Sequence, residues 1–448
     1  MYLWVAPIRI YREVTLMKMK QVLATGAALS MALSMTPVTA SAADKVDINV
    51  IAAQYGQQTA DWWANFVTEF NEANPDINLN VEVVSWNDIY TVVNTRIANG
   101  EAPDVLNIDV FADYQADDLL LPIQDVVSEE TYSKMYDAFL AQSEVDGTVW
   151  AIPDLASARA MYYNKDILDK AGIDPSTLTS PDAIKEAFET IDSKKDELGL
   201  TAVVGYAAEP VNLYWSTGNH LFGTYLDEGL DRDDTTYIDM LNDGGKLDEG
   251  RFTDFANFVG LLNQYSDPAL LVSGTYDQQI LNFSSGKYAF VTQGSWIGAT
   301  MVGDDADAYK EAGNFEVGMI PYAFEDGQDT ILTSSPSWWS VYKDGNVEAA
   351  EAFLQWLTTD EAQEVLVKEA GFVSPFKSCT IVGDDPFAQT ITDYQKAEKT
   401  SAWHWSIPGF KEGIAQNYTG QVFADYASGS LDEAGFVKTM QQVLESAN

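Results

Sequence analysis

The chain alternates two apolar periods from residue 46 onward, and that alternation limits its fold more than any other feature. Val46 to Ala52 reads as a strand. From Thr59 to Asn74, the residues Trp63, Phe66, Val67 and Phe70 recur at helical spacing, and Asn74-Pro75 closes the segment. Ile77, Leu79, Val81 and Val83 then alternate with polar residues as a second strand. Asn87 opens a helix carrying Ile89, Val93 and Ile97, Asn99-Gly100 stops it, and Asp104 to Asp109 is the next strand. Such a run implies a parallel sheet with helices on its faces. Ligands of these sheets sit beyond the carboxyl ends of the strands. That selects the loops after Ala52, Val84 and Asp109, which hold Gln54, Gln57, Trp86, Asp109 and Phe111.

With 448 residues, the chain is about three times the length of a typical domain, so two lobes are expected rather than one core. The middle, roughly 160–330, has its own strands and its own aromatic supply: Tyr162-Tyr163, Tyr214-Trp215, and a strand from Tyr288 to Thr292 running into Gly294-Ser295-Trp296. A second α/β lobe fits it. The acidic run from Asp227 to Asp234 reads as a solvated loop.

The net charge of −43 would repel phosphate backbones and anionic headgroups, which argues against nucleic acid as a partner. A single cysteine, Cys379, and two histidines, His220 and His404, leave no Cys-rich or His-based metal site, so no metal and no cofactor is expected. Each histidine is expected to be a surface or hydrogen-bonded residue. At the amino end, Lys18 and Lys20 precede an apolar run from Val22 to Leu33, and Ala40-Ser41-Ala42 supplies a cleavage site. Residues 1–42 are therefore expected to be a signal peptide, with translation starting at Met17 or Met19 and the mature chain at Ala43. The run is too short to span a bilayer. No cysteine lies near the cleavage site, so a free protein of the periplasm, neither lipid-anchored nor inserted in the membrane, is expected.

Several segments together resemble a known family. They are Ala98-Asn-Gly-Glu-Ala-Pro-Asp-Val105, Tyr162-Tyr-Asn-Lys-Asp-Ile-Leu-Asp-Lys-Ala-Gly-Ile-Asp174, Phe283 to Trp296, Ala349 to Leu357 with Thr359-Asp-Glu-Ala-Gln363, Gly371-Phe-Val-Ser-Pro375, and Pro408-Gly409. In this order they are similar to the family 1 extracytoplasmic solute-binding proteins of ABC sugar importers, the group that includes maltose-binding protein. The resemblance implies a two-lobed α/β fold of the type II periplasmic-binding-protein (Venus-flytrap) kind, closing about a hinge. It projects lobe 1 onto 44–156 and 333–376, and lobe 2 onto 157–332 and 377–448. Crossings fall near Pro153 to Ala158, Ser334 to Ser337 and Ser374 to Phe376. It also implies a monomer that performs no reaction, captures a mono- or oligosaccharide and delivers it to the transmembrane permease subunits. The alternatives are the same fold holding a polyol or polyamine, and a secreted glycoside hydrolase working with two carboxylates.

Sugars present C–H faces and a rim of hydroxyls, so a cleft for them needs flat aromatic rings and short polar or acidic groups. Trp63 and Trp356 sit on apolar helix stripes and are expected in the core, with Trp150. Trp296 follows a strand through Gly294-Ser295 and matches the family's stacking position. Trp338 and Trp339 flank a projected crossing, and one of them, Trp338 ahead of Trp339, is expected to face the cleft. Glu209-Pro-Val-Asn-Leu-Tyr-Trp215 resembles the family's Glu-Pro-aromatic segment and nominates Glu209 and Trp215, or Tyr214 in its place. Trp403 and Trp405 in a polar stretch, and Trp86, complete the aromatic candidates. Asp109, Gln57 and Arg159 are the further rim candidates, with a salt bridge as the alternative role of Arg159.

Overall fold

Thr59 begins the first helix by accepting a hydrogen bond from the Trp62 N–H at 3.2 Å, and Asn74 ends it with two donors on the Phe70 carbonyl. The helix, Ala60–Ala73, buries Trp62, Trp63, Phe66 and Phe70. Its neighbour is the helix Val347–Leu357, met from far along the chain through Phe353 and Trp356. Ring centroids there are 5.0 Å apart for Phe66 and Trp356 and 5.7 Å for Phe70 and Phe353. Trp63 and Trp356 are both core residues, 4% exposed.

The computed structural model describes residues 45–54, 58–86, 88–231, 234–369, 373–403 and 414–447. The projected signal segment and Pro408-Gly409 lie outside these. The chain begins with strands β1 (Val46–Gln54), β2 (Ile77–Ser85), β3 (Val105–Ile108) and β4 (Leu120–Leu121). A short hairpin of β5 (Glu144–Val145) and β6 (Thr148–Val149) leads to β7 (Ile152–Pro153). Then come β8 (Ser157–Asn164), β9 (Ala202–Gly205), β10 (Tyr288–Gly294), β11 (Val317–Ile320) and β12 (Ile331–Ser334), followed by β13 (Trp338–Tyr342) and β14 (Thr400–Ala402).

Two six-stranded sheets result. The first has the order β2-β1-β3-β13-β4 with β7 also on β13, and the second has β14-β12-β8-β10-β9 with β11 also on β8. In the first, β1, β2 and β3 are parallel and β13 runs against β3. In the second, β8 runs against β10, β11 and β12, whereas β9 follows β10 and β14 follows β12. The two-lobed, mostly parallel α/β architecture is the one expected. One boundary differs: Thr333 and Ser334 pair with Ala158 and Ser157 in the second sheet. Strand β12 thus carries the second sheet through Ser334, one residue into the projected crossing Ser334 to Ser337.

A second difference concerns the acidic run. Asp227 and Glu228 are 1% and 0% exposed, not solvated. Glu228 accepts the Tyr322 N–H at 2.6 Å, and its backbone carbonyl accepts from Arg251, which also pairs with Glu325. Burial raises the Glu228 carboxyl to about 8.

The crossings are tied together. Asp154, 3% exposed, accepts from the Trp339 Nε1 at 3.2 Å and from Ser337 and Asn107 at 3.4 Å. Its N–H donates to Ser335 Oγ at 3.0 Å, and the Ala156 N–H donates to the Val373 carbonyl at 2.7 Å. Gln142, on the helix Asp137–Ser143, reaches from the first lobe to the Thr333 carbonyl at 2.9 Å.

Two measurements check this account. Trp356→Ala leaves a cavity among Phe66, Phe70 and Phe353 and should cost about 3–5 kcal/mol in urea unfolding; a loss below about 1 kcal/mol would show that the aromatic contact is dispensable. Burial, partly offset by Trp339 and Ser337, raises the Asp154 carboxyl to about 7. The folded state therefore holds this proton where the unfolded chain has released it, and stability falls as pH rises from about 4 to 7. Asp154→Asn should flatten that decline; parallel pH profiles for both proteins would refute it.

Candidate functional site

The directions of the strands fix where a ligand can lie. In the second sheet the carboxyl ends of β9, β10, β12 and β14 share one edge with the amino end of β8, because β8 alone runs the other way. In the first sheet the carboxyl ends of β1, β2 and β3 lie with the amino end of β13. The first two chain crossings, through Asp154 to Ala156 and through Ser335 to Ser337, join these two edges. The loops of both sheets that favour ligands therefore open onto one cleft beside the hinge.

On the second-lobe side the loops deliver rings. Strand β10 ends at Gly294, Ser295 is held by the Ala158 backbone at 2.9 Å, and Trp296 precedes the helix Ile297–Val302. The Trp296 ring folds back over Gly294, where an added Cβ would run into its benzo edge, so a side chain there would push the ring out of this place. Trp215 stands before the π-helical turn Ser216–Leu221, its Nε1 donating to the Asn212 carbonyl at 3.0 Å. Within that turn, His220 lies 5.2 Å from Trp215, 5.1 Å from Trp296 and 5.2 Å from Trp403, centroid to centroid. Trp403 follows β14 directly and is 5% exposed; its indole N–H edge occupies the space a Cβ on Gly223 would need. Tyr276 stands 6.1 Å from Trp215.

Arg159, on β8, completes the cluster. Its guanidinium carbon is 4.0 Å from the Trp403 ring centre and 5.5 Å from that of Trp296, and its Nη1 donates to Ser157 Oγ at 2.8 Å. Burial lowers the pKa of Arg159 to about 9, which leaves it charged at neutral pH. Burial, with the Arg159 charge added, pushes His220 well below its ordinary value, so that ring is neutral. Beside the rings a concavity of about 560 Å³ is lined by Glu209, Asn212, Trp215, Thr275, Tyr276 and Asp277, a volume suited to a small solute.

The structure thus brings Arg159, Trp215, Trp296 and Trp403 together. Trp86, 37% exposed, follows β2, and Asp109 follows β3, both at the facing edge of the first lobe. Trp338 does not face the cleft: it is fully buried, 5.5 Å from Phe111 and 6.4 Å from Phe139. The reason is that β13 lies between β3 and β4, with both its faces covered. Glu209 also departs from its expected part. Its carboxylate accepts the N–H groups of Val211, Asn212 and Leu213 at 2.9, 2.6 and 3.2 Å, so it clamps the turn that carries Trp215. Gln57 and Trp405 lie outside the described residues. Among those described, no group of three or more His, Cys, Asp or Glu could hold a metal ion.

Sequence reasoning missed His220 and Tyr276. Trp215 and His220 are five residues apart, which an α-helix would splay around its axis. The π-turn closes its hydrogen bonds over five residues and sets the two rings side by side. No apolar period signals such a turn.

A putative binding protein of Brucella abortus is 34% identical over 136 residues, 30% of this chain and 33% of that protein. The chain thus matches about a third of that relative's length. The diacetylchitobiose binding protein DasA of Streptomyces coelicolor is 25% identical over 324 residues, 71% of each chain. The sugar-binding protein MalE of Xanthomonas citri superposes with a TM-score of 0.68 at 19% identity, covering 90% of this chain and 97% of that one, a likeness of fold. The profile of the family described as bacterial extracellular solute-binding protein matches residues 55–364. On that match, the chain belongs to the bacterial extracellular solute-binding proteins.

Proposed function

We propose that the protein is the carbohydrate-binding component of an ABC importer, capturing a mono- or oligosaccharide between its lobes and presenting it to the permease. The observation that carries this reading is the convergence of Trp215, Trp296 and Trp403 with Arg159 at the carboxyl edge of the second sheet, beside the hinge. Indole faces suit the C–H faces of sugar rings. The named ligands of DasA and MalE support the same class. Lobe 1 is then 44–156 and about 335–376, and lobe 2 is 157–334 and 377–448. Trp86 and Asp109 supply the closing side. The chain works as a monomer, exported by residues 1–42 and free of lipid. No helix among the described residues is long and apolar enough to cross a membrane. The site binds and orients; it does not cut.

Binding without turnover is the first test. A sugar that binds should shrink the radius of gyration in X-ray scattering and change tryptophan fluorescence, and the ligand recovered afterwards should be intact. Release of shorter sugars in proportion to protein would replace this reading with hydrolysis. Trp296→Ala is the second test: loss of a central aromatic anchor should cost about 2 kcal/mol, roughly 30-fold in Kd, with the melting temperature nearly kept. Unchanged affinity with a collapsed melting temperature would make Trp296 a packing residue.

A further inference from the structure

Among the described residues two arginines are buried, and they are treated differently. Arg251, 6% exposed, donates to the Tyr225 carbonyl at 2.8 Å and the Glu228 carbonyl at 2.7 Å, and pairs with Glu325. Its charge is neutralised and its fork is filled. Arg159, 4% exposed, has one hydroxyl, Ser157 Oγ, and its Nε is buried with no acceptor. The chain holds 68 acidic residues. None of the described ones forms an ion pair with Arg159. The rings of Trp296 and Trp403 lie against the guanidinium but offer its in-plane N–H groups nothing to bind.

A buried cation without an anion is a costly arrangement that folded proteins rarely retain unless something else supplies the counter-charge. Here the cation lies at the cleft edge, among rings suited to a sugar, and the neighbouring His220 ring is neutral. The planar fork of arginine matches the oxygens of a carboxylate or a phosphate in pairs.

We propose that Arg159 is the anion receptor of the cleft, and that the solute is an acidic carbohydrate whose carboxylate or phosphate group binds the guanidinium while its ring lies on Trp296. This rests on the cleft being the solute site. The overall charge of −43 does not oppose it. At physiological ionic strength exposed carboxylates are screened over about 8 Å, whereas a buried guanidinium is screened far less. Of the acids lining the nearby concavity, Glu209 is engaged by the three N–H groups of its own turn, and Asp277 stands on the helix Tyr276–Ser284 at the rim.

Calorimetric titration of the full exported chain with matched probes tests this: glucose and galactose, their uronates, digalacturonate, and glucose 6-phosphate. An acidic probe should bind at least 100-fold more tightly than its neutral counterpart. The uronate and phosphate arms tell the two anions apart. Arg159→Met should abolish the preference, and Arg159→Lys, which keeps the charge but not the fork, should restore part of it. If Arg159→Met fails to fold, the comparison of probes on the unaltered protein decides alone. Neutral sugars binding as tightly as acidic ones, or an acidic preference that survives Arg159→Met, overturns the proposal and leaves the carbohydrate reading standing. Binding of neither class overturns both.

Discussion

Strand β8 leaves the first lobe through Asp154 to Ala156 and runs against β10, β11 and β12. Its amino end therefore lies among the carboxyl ends of its neighbours, and the hinge and the ligand-facing loops come to the same edge. Were β8 parallel to them, the crossing would enter at the far side of the sheet, and the rings after β10 and β14 would face away from the first lobe. The position of Arg159, level with Gly294 on one side and Leu332 on the other, follows from this reversal. So does the seat of Ser157, which donates to the Ser334 carbonyl at 3.0 Å and accepts from Arg159.

Packing and the proposed recognition fall to different aromatic sets. The rings of Phe66, Phe70, Phe353 and Trp356 meet edge to face inside the first lobe, where their area removes water and holds distant segments together. The rings of Trp215 and Trp296 are only partly covered, and what holds them is local: a clamp by Glu209, a backbone approach at Gly294, a π-turn. Trp403 stands between the two sets, nearly buried yet stacked on a charge. On the proposed reading, ligand contact can change by local substitution with little loss to the core, except at Trp403, where packing and contact would share one ring.

Much of the architecture was legible because the relevant signals are periodic. Trp63, Phe66 and Phe70 fall on one helix face, Ile77 to Val83 alternate, and Gly294-Ser295 marks the place where a strand stops and a ring can turn toward solvent. Trp338 was not legible. On a half-exposed strand, parity would say which of Trp338 and Trp339 points outward, but β13 is covered on both faces and parity carries no such information. Glu209 misled for another reason: three unpaired N–H groups after Pro210 claim its oxygens, and only the turn geometry shows it. Glu228 is buried beside Arg251, which arrives from a later helix, so an acidic run alone pointed to solvent.

The insertion of β13 between β3 and β4 bears on how the chain acquires its structure. A polypeptide appearing from its amino end lays down β1 to β4 and then the strands β8 to β12 of the other sheet before β13 exists. Until then the edges of β3 and β4 lack the strand that joins them, and Phe66 and Phe70 lack Phe353 and Trp356. The first lobe, though it begins the chain, is finished late, after the sheet it must wait for has largely been made. Long-range pairing of this kind slows folding and prolongs exposure of apolar edges. A chain that remains unfolded until its full length is present avoids that stalled, half-built state.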